Sequence, residues 1–320
     1  MNKSIRLEGL GVALATPFLP AGGRGDEGFG SGAVDLPAFR KLVRYVAENG
    51  ADFLVVLGST GEGPTVLPGE RDDLIAATIE ESRGLPVVVG TGHNSTREAA
   101  ALAAQAAGLG ADALLVVTPY YNKPQARGLV EHYRAVAAAA ALPIVAYNVP
   151  GRTGLNLQPR DLDLLWAIPE VVAVKESSGS LAQIGEIARR LPSGKALFSG
   201  DDALALPSIA QGASGLVSVI ANLLPAETKR LVAAARRGEL AEARRFQRAL
   251  LPLMDALFAE PNPVPLKAAM ALKGLSSDAV RLPLMAAEEA TRSRIADCLA
   301  SIAGEKLCGP YSAGSGGGRP

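Results

Sequence analysis

Residues 171–199 read VVAVKESSGSLAQIGEIARRLPSGKALFS, and this stretch decides the fold. It opens on a short apolar run, Val171 to Lys175, rich in β-branched residues and followed at once by polar Glu176 and Ser177. Ser180 then stands where a helix N-cap belongs, and Leu181–Arg190 carries its apolar residues at helical spacing. A second short apolar run, Ala196–Ser199, closes the stretch. Strand, helix and strand in this order make a βαβ unit. Apolar runs without polar alternation belong to strands buried on both faces, as a parallel sheet requires.

Working outward, the same unit recurs along the chain. Further runs stand at Gly11–Ala15, Phe53–Leu57, Pro86–Gly90, Ala113–Thr118, Pro143–Asn148 and Gly215–Val219. Between them lie helical stretches such as Asp35–Asn49 and Thr96–Leu109, the latter with Ser95 as a cap. Eight strands alternating with helices predict an α/β fold, either a (β/α)8 TIM barrel or an open doubly wound sheet. The placing of polar residues favours the barrel. They cluster just after the apolar runs, at 59–62, 91–94, 120–122, 148–153, 175–176 and 200–202. In a barrel all these strand ends converge on one mouth, where such folds place their chemistry.

After about Leu224 the strand pattern stops. Segments 227–237, 240–258, 264–273 and 286–300 read as helices, interrupted by Pro261-Asn262-Pro263. The predicted organisation is a barrel over 1–226 that carries the site, a C-terminal helical subdomain over 227–304, and a disordered Gly/Ser-rich tail over 305–320.

Composition narrows the function. The 320 residues include 32 Lys+Arg against 32 Asp+Glu, so no basic surplus invites nucleic acid or an anionic membrane. Two cysteines cannot furnish a disulfide-rich scaffold or a four-thiolate zinc site, and two histidines leave little for a His-rich metal centre. The longest apolar stretch, Ala135 to Tyr147, is interrupted by Pro143 and is too short to span a bilayer. Lys3 and Arg6 ahead of Leu10–Ala15 imitate a leader peptide, but Pro17 ends the run, so it reads as a strand of a cytoplasmic protein. Gly23-Arg-Gly25-Asp-Glu-Gly28 matches the dinucleotide fingerprint in form alone. It follows Pro20 rather than a strand, so the 21–32 segment reads as an expanded loop.

Lys175 is the most informative residue. A lysine ending a buried barrel strand points into the mouth, where desolvation favours the neutral, nucleophilic amine. Such an amine forms a Schiff base with a ketone, and the iminium then serves as an electron sink. The bland alternative is a lysine reaching out to pair with Glu62 or Glu176. Tyr147 ends the preceding run, so it sits one strand away at similar height and can move protons if a relay sustains it. Ser59, Thr60 and Tyr121 are the relay candidates. Arg152, in the loop after Tyr147, suits a carboxylate, although loop arginines are often only solvated. Asp201 and Asp202 read as caps of a helix near Ala203, and Asn94 and Ser95 as caps too.

Taken together, Gly58-Ser-Thr-Gly-Glu62, Pro119-Tyr-Tyr-Asn-Lys-Pro124, Tyr147-Asn-Val-Pro-Gly-Arg-Thr-Gly154, Val174-Lys-Glu176, Ser199-Gly-Asp-Asp202 and Glu260-Pro-Asn-Pro263 resemble the 4-hydroxy-tetrahydrodipicolinate (dihydrodipicolinate) synthases. These belong to the pyruvate-dependent class I aldolases that include N-acetylneuraminate lyase. The resemblance implies a lyase in which Lys175 forms the pyruvate Schiff base. It makes Tyr147 the proton donor and acceptor, linked through Ser59 (Thr in many relatives) to Tyr121. It assigns Thr60, Gly200 and Val217 to substrate binding, and Arg152 to the carboxylate of L-aspartate 4-semialdehyde. It implies no metal or nucleotide cofactor. It also implies a homo-oligomer, a dimer of dimers, in which the Tyr121 equivalent reaches the site of a neighbouring subunit.

Two departures stand out. The 21–32 segment is longer than the family's short turn. Lysine-inhibited relatives use histidines after the Gly-Ser/Thr-Thr-Gly-Glu motif, whereas 65–71 here holds none; Asn94, Glu98 and Tyr120 match other positions of that effector pocket. The competing reading keeps the Lys175 imine and changes the acceptor, giving a sialic-acid lyase or a 2-keto-3-deoxy sugar-acid aldolase. Arg152 and the Tyr120-Tyr121 pair favour the synthase, because sugar-acid relatives generally lack that arginine.

Overall fold

A computed structural model describes residues 5, 7–20, 22 and 32–304. The greater part of the 21–32 segment and the whole 305–320 tail therefore lie outside the described residues. Eight parallel strands close into a barrel in sequence order, β1 pairing with both β2 and β8. They are β1 Gly9–Ala13, β2 Phe53–Val56, β3 Val87–Gly90, β4 Ala113–Val117, β5 Ile144–Asn148, β6 Val171–Glu176, β7 Ala196–Ser199 and β8 Gly215–Ser218. The predicted (β/α)8 architecture is the observed one. The first strand begins two residues before its predicted start and stops at Ala13. Beyond it Leu14 N still reaches Val55 O, but Ala15 N is taken by the Asn222 side chain at 3.1 Å, so the ladder ends.

Strand pleating sorts side chains into two cores. Every second residue faces inward: Phe53 and Val55, Ala113 and Leu115, Val145 and Tyr147, and Ala173, Phe198 and Val217 form one inner cluster. Their neighbours face the helices and join a larger outer core. Phe53 and Phe198 meet edge to face inside the barrel at 5.3 Å. Gly11 makes room for them, since a methyl there would overlap the Phe53 ring. Each fully buried Val, Leu or Phe is worth roughly 1.5–3 kcal/mol, so these two clusters hold most of the stabilisation.

The helices that cover the barrel include α1 Leu36–Glu48, α2 Pro68–Glu81, α3 Thr96–Gly108, α4 Ala126–Ala140, the short α5 Pro150–Thr153, α6 Pro159–Trp166, α7 Leu181–Arg190 and α8 Ala205–Ala210. Ser95 and Ser180 cap α3 and α7 as expected, accepting from Glu98 N and Gln183 N. Asn94 does not cap; its carbonyl accepts from Asn122 Nδ2 at 2.8 Å. After β8 come only helices: α9 Pro225–Arg236, α10 Leu240–Ala256, α11 Val264–Leu272 and α12 Glu289–Gly304. No helix of the described residues is long and apolar enough to cross a membrane.

Candidate active site

The end of β6 carries the decisive side chain. Tyr147 and Lys175 are register partners across β5 and β6, so the same pleat turns both inward. Both are 5% exposed, and Lys175 Nζ lies 4.4 Å from the centre of the Tyr147 ring. The bland alternative for Lys175 fails on geometry. Glu176 is one residue further and so faces the other way, where it accepts from Asn148 Nδ2 at 2.9 Å and Ser178 N at 2.7 Å. Glu62 is ion-paired with Lys267. Among the described residues no carboxylate pairs with Lys175.

Gly200, expected at the substrate, packs against the lysine itself. A methyl at Gly200 would lie 2.7 Å from Lys175 Cε and would overlap Ser177 Oγ. Gly200→Ala is thus expected to displace the amine and slow turnover by about 100-fold, the usual cost of about 1 Å of misplacement. The rate of borohydride trapping of a pyruvate imine checks this; a rate equal to wild type would show that Gly200 does not set the lysine's position.

The loop after β2 is held in an unusual backbone shape. Leu57 and Glu62 both adopt left-handed conformations, with φ 60° and 51°, on either side of the single turn Ser59–Gly61. Each non-glycine residue in that region costs about 1–2 kcal/mol, so something must hold it. The holding groups come from the C-terminal segment. Lys267 of α11 is completely buried, pairs with Glu62 and donates to Ala279 O at 2.8 Å. Arg281 grips both oxygens of Glu70 at 2.6 Å, donates to Thr65 O, and gives its backbone N–H to Glu62 at 3.2 Å. The Phe18 ring packs against both cations, with its centre 4.0 Å from Lys267 Nζ and 4.2 Å from the Arg281 guanidinium.

Within this anchored loop Thr60 is buried, and its Oγ1 accepts a hydrogen bond from Asn262 Nδ2 at 3.0 Å. Arg152, on the exposed turn α5, donates to the Asn262 backbone carbonyl at 2.9 Å. Ser59, Tyr147, Arg152 and Asn262 line one cavity of about 390 Å3, together with His93 and Tyr120 stacked edge to face at 5.9 Å. That volume falls within the range of small-molecule sites.

Other expected residues are placed differently. Val217 is buried in the inner cluster on β8. Tyr121 is 87% exposed, with φ 72°, and is not brought to Tyr147 or Ser59 in this chain. Asp201 caps the turn at Ala203, but Asp202 does not. Its carboxylate accepts from Ser218 Oγ at 2.6 Å and from Val219 N and Ile220 N, so it braces the end of β8. Complete burial pushes its pKa up to about 6.

Sequence reasoning singles out neither Lys267 nor Arg281, and it meets Asn262 only inside a motif. A lysine within the apolar helix 264–273 is the available signal. Burial lowers the Lys267 pKa to about 8, and this outweighs the attraction of Glu62.

The sequence profile of the dihydrodipicolinate synthetase family matches residues 7–302. The chain belongs to the dihydrodipicolinate synthetase family. The match extends through the barrel and into α12, so the C-terminal helices are part of the family's shared architecture. Among relatives, the 4-hydroxy-tetrahydrodipicolinate synthase of Thermomicrobium roseum is 47% identical over 296 residues, covering 92% of this chain and 94% of the relative. The crystal structure of dihydrodipicolinate synthase from Thermotoga maritima superposes with a TM-score of 0.87 at 40% identity, covering 92% of this chain and 98% of that one. The chloride-inhibited dihydrodipicolinate synthase of Acinetobacter baumannii, solved in complex with pyruvate, gives 0.88 at 36% identity, covering 93% and 99%. Members of the dihydrodipicolinate synthetase family thus share this barrel and its helical extension over nearly their whole length.

Proposed function

We propose that this lyase condenses pyruvate with L-aspartate 4-semialdehyde to give 4-hydroxy-tetrahydrodipicolinate, in the biosynthesis of lysine and diaminopimelate. The observation that carries the reading is the buried Lys175 amine 4.4 Å from the Tyr147 ring on the barrel's inner face. Lys175 attacks the pyruvate ketone and releases water, forming the imine. The iminium loses a methyl proton to Tyr147 and becomes an enamine. Its carbon attacks the aldehyde, and the new amino ketone cyclises through its own amine, which displaces Lys175. Thr60 and the strand end at Val217 hold pyruvate, Gly200 leaves space for the lysine, and Ser59 passes protons from Tyr147. Arg152, exposed at the cavity, receives the semialdehyde carboxylate.

The test is an acceptor screen with pyruvate, comparing aspartate semialdehyde, N-acetylmannosamine and glyceraldehyde. Turnover confined to either sugar-type aldehyde would replace the synthase reading with an aldolase one. Arg152→Ala should raise the KM for aspartate semialdehyde by about 10- to 100-fold, the loss of one charge-assisted pair, and leave pyruvate imine formation close to wild type. Equal damage to both steps would remove Arg152 from acceptor binding.

The exposed Tyr121 supports a homo-oligomer, a dimer of dimers, in which this ring completes the relay of a second copy. A monomer in sedimentation that turns over at the full rate would remove this part of the proposal. Division into a barrel unit over 1–226 and a helical unit over 227–304 belongs to the same reading, supported by the end of the strands at Ser218. So does a cytoplasmic location, which cell fractionation checks.

A further inference from the structure

The link between Thr60 and Arg152 runs through one residue. Asn262 is 5% exposed and belongs to the turn that leads into α11. Its amide Nδ2 donates to Thr60 Oγ1 at 3.0 Å, and its backbone carbonyl accepts from Arg152 Nη2 at 2.9 Å. Its Oδ1 is buried without a hydrogen-bond partner. An amide held this way presents a donor, and not an acceptor, to the threonine.

That choice fixes a proton. A hydroxyl has one O–H to give and two lone pairs. With a lone pair of Thr60 Oγ1 occupied by Asn262, the hydroxyl's own proton is free to donate, and no acceptor for it stands among the described residues. A donor is what a bound carboxylate requires. The same residue holds the guanidinium that faces the second substrate, so one side chain and one carbonyl orient a group for each reactant.

We infer that Asn262 is a positioning residue that keeps the Thr60 hydroxyl as a donor toward the pyruvate carboxylate while its backbone carbonyl sets the direction of Arg152. The inference rests on the proposed reading that Thr60 binds pyruvate and Arg152 the aldehyde substrate. Its specific consequence concerns Asn262→Asp, which keeps the shape of the side chain and reverses its polarity. When ionised, the introduced carboxylate cannot donate; it takes the Thr60 proton for itself and repels the incoming carboxylate. When protonated, it donates as the amide does.

The experiment measures kcat and KM for both substrates across pH in wild type, Asn262→Asp and Asn262→Ala, with borohydride trapping of the pyruvate imine in each. At about pH 8, Asn262→Asp should raise the KM for pyruvate by about tenfold or more, the effect of a lost hydrogen bond to a charged group. Burial at this 5% exposed position raises the pKa of the introduced carboxyl, so, relative to wild type at the same pH, that deficit should shrink at least about threefold as the pH falls to about 5.5 and the group gains its proton. Asn262→Ala should show a deficit without this recovery. In a Thr60→Val background, Asn262→Ala, which brings no charge of its own, should add little to the pyruvate KM, because the group it acts through is gone.

A wild-type KM for Asn262→Asp at about pH 8 would overturn the inference, since an acceptor would then serve Thr60 as well as a donor. So would a deficit with no pH recovery and the size seen in Asn262→Ala, which is what loss of shape alone produces. Failure of wild type to trap pyruvate would strike the proposed reaction itself, a result distinct from either. If Asn262→Asp does not fold, additivity between Asn262→Ala and Thr60→Val in the pyruvate KM would overturn the inference and non-additivity would support it.

Discussion

Treated with pyruvate and borohydride, the wild-type chain is expected to gain a stable three-carbon adduct on Lys175. Lys175→Ala should gain none and lose turnover by roughly ten-thousand-fold or more, the scale of removing a covalent nucleophile. Without the imine the pyruvate methyl has no electron sink, and the remaining groups only bind. Lys175→Arg sharpens the result, because it keeps a long nitrogen-bearing side chain beside Tyr147 and cannot form the adduct. Peptide mapping matters here. Lys267 is a second buried lysine whose pKa burial lowers to about 8, but its ammonium is committed to Glu62 and the Ala279 carbonyl. An adduct mapped to Lys267, or full turnover by Lys175→Ala, would overturn the mechanism.

The second large effect concerns stability. Lys267→Ala is expected to cost about 3–5 kcal/mol, because it strands the Glu62 carboxylate in the interior. Lys267→Met paired with Glu62→Gln should cost clearly less, since neither charge is then left unpaired. Urea unfolding of the single and paired variants checks this, and equal losses in both would show that packing, not charge, sets the cost. The pH dependence has a definite sign. The folded Lys267 pKa is depressed below the unfolded value, so the native state binds fewer protons between about pH 8 and about pH 10.4. The penalty for charging Lys267 is fully present below about pH 8 and is relieved as the pH rises through that window. Its neighbours share the assignment: Glu62 and Arg281 both face it, and Arg281 lowers its pKa further by like charge.

The barrel is legible in the sequence because each strand is buried on both faces and therefore lacks polar alternation. The run 171–176 shows how much follows. Its last inward position is Lys175, and the parallel register then sets Tyr147 beside it. Local signals also locate Ser95 and Ser180 as caps. Non-local pairing is illegible. Glu62 and Lys267 are far apart in the chain, and nothing in either neighbourhood announces the other. Asp202 misleads for the same reason: it resembles a cap locally, yet its partners are Ser218, Val219 and Ile220 at the end of the next strand. Asn262 stands in a motif without a role of its own, because that role depends on two loops that only the fold brings together.

The dependence of the 57–62 loop on Lys267, Arg281 and Asn262 has a consequence for engineering. Barrel enzymes invite exchange of their βα loops as interchangeable parts, and this loop is not one. A graft of residues 57–62 from a relative would arrive without the cations that keep Glu62 in its left-handed shape and without the amide that orients Thr60. A recipient chosen for a new acceptor aldehyde would have to receive the turn and helix from Asn262 to Lys267, and the segment that ends at Arg281, in the same exchange. The transplantable unit is discontinuous in sequence, and its boundary follows the buried charges.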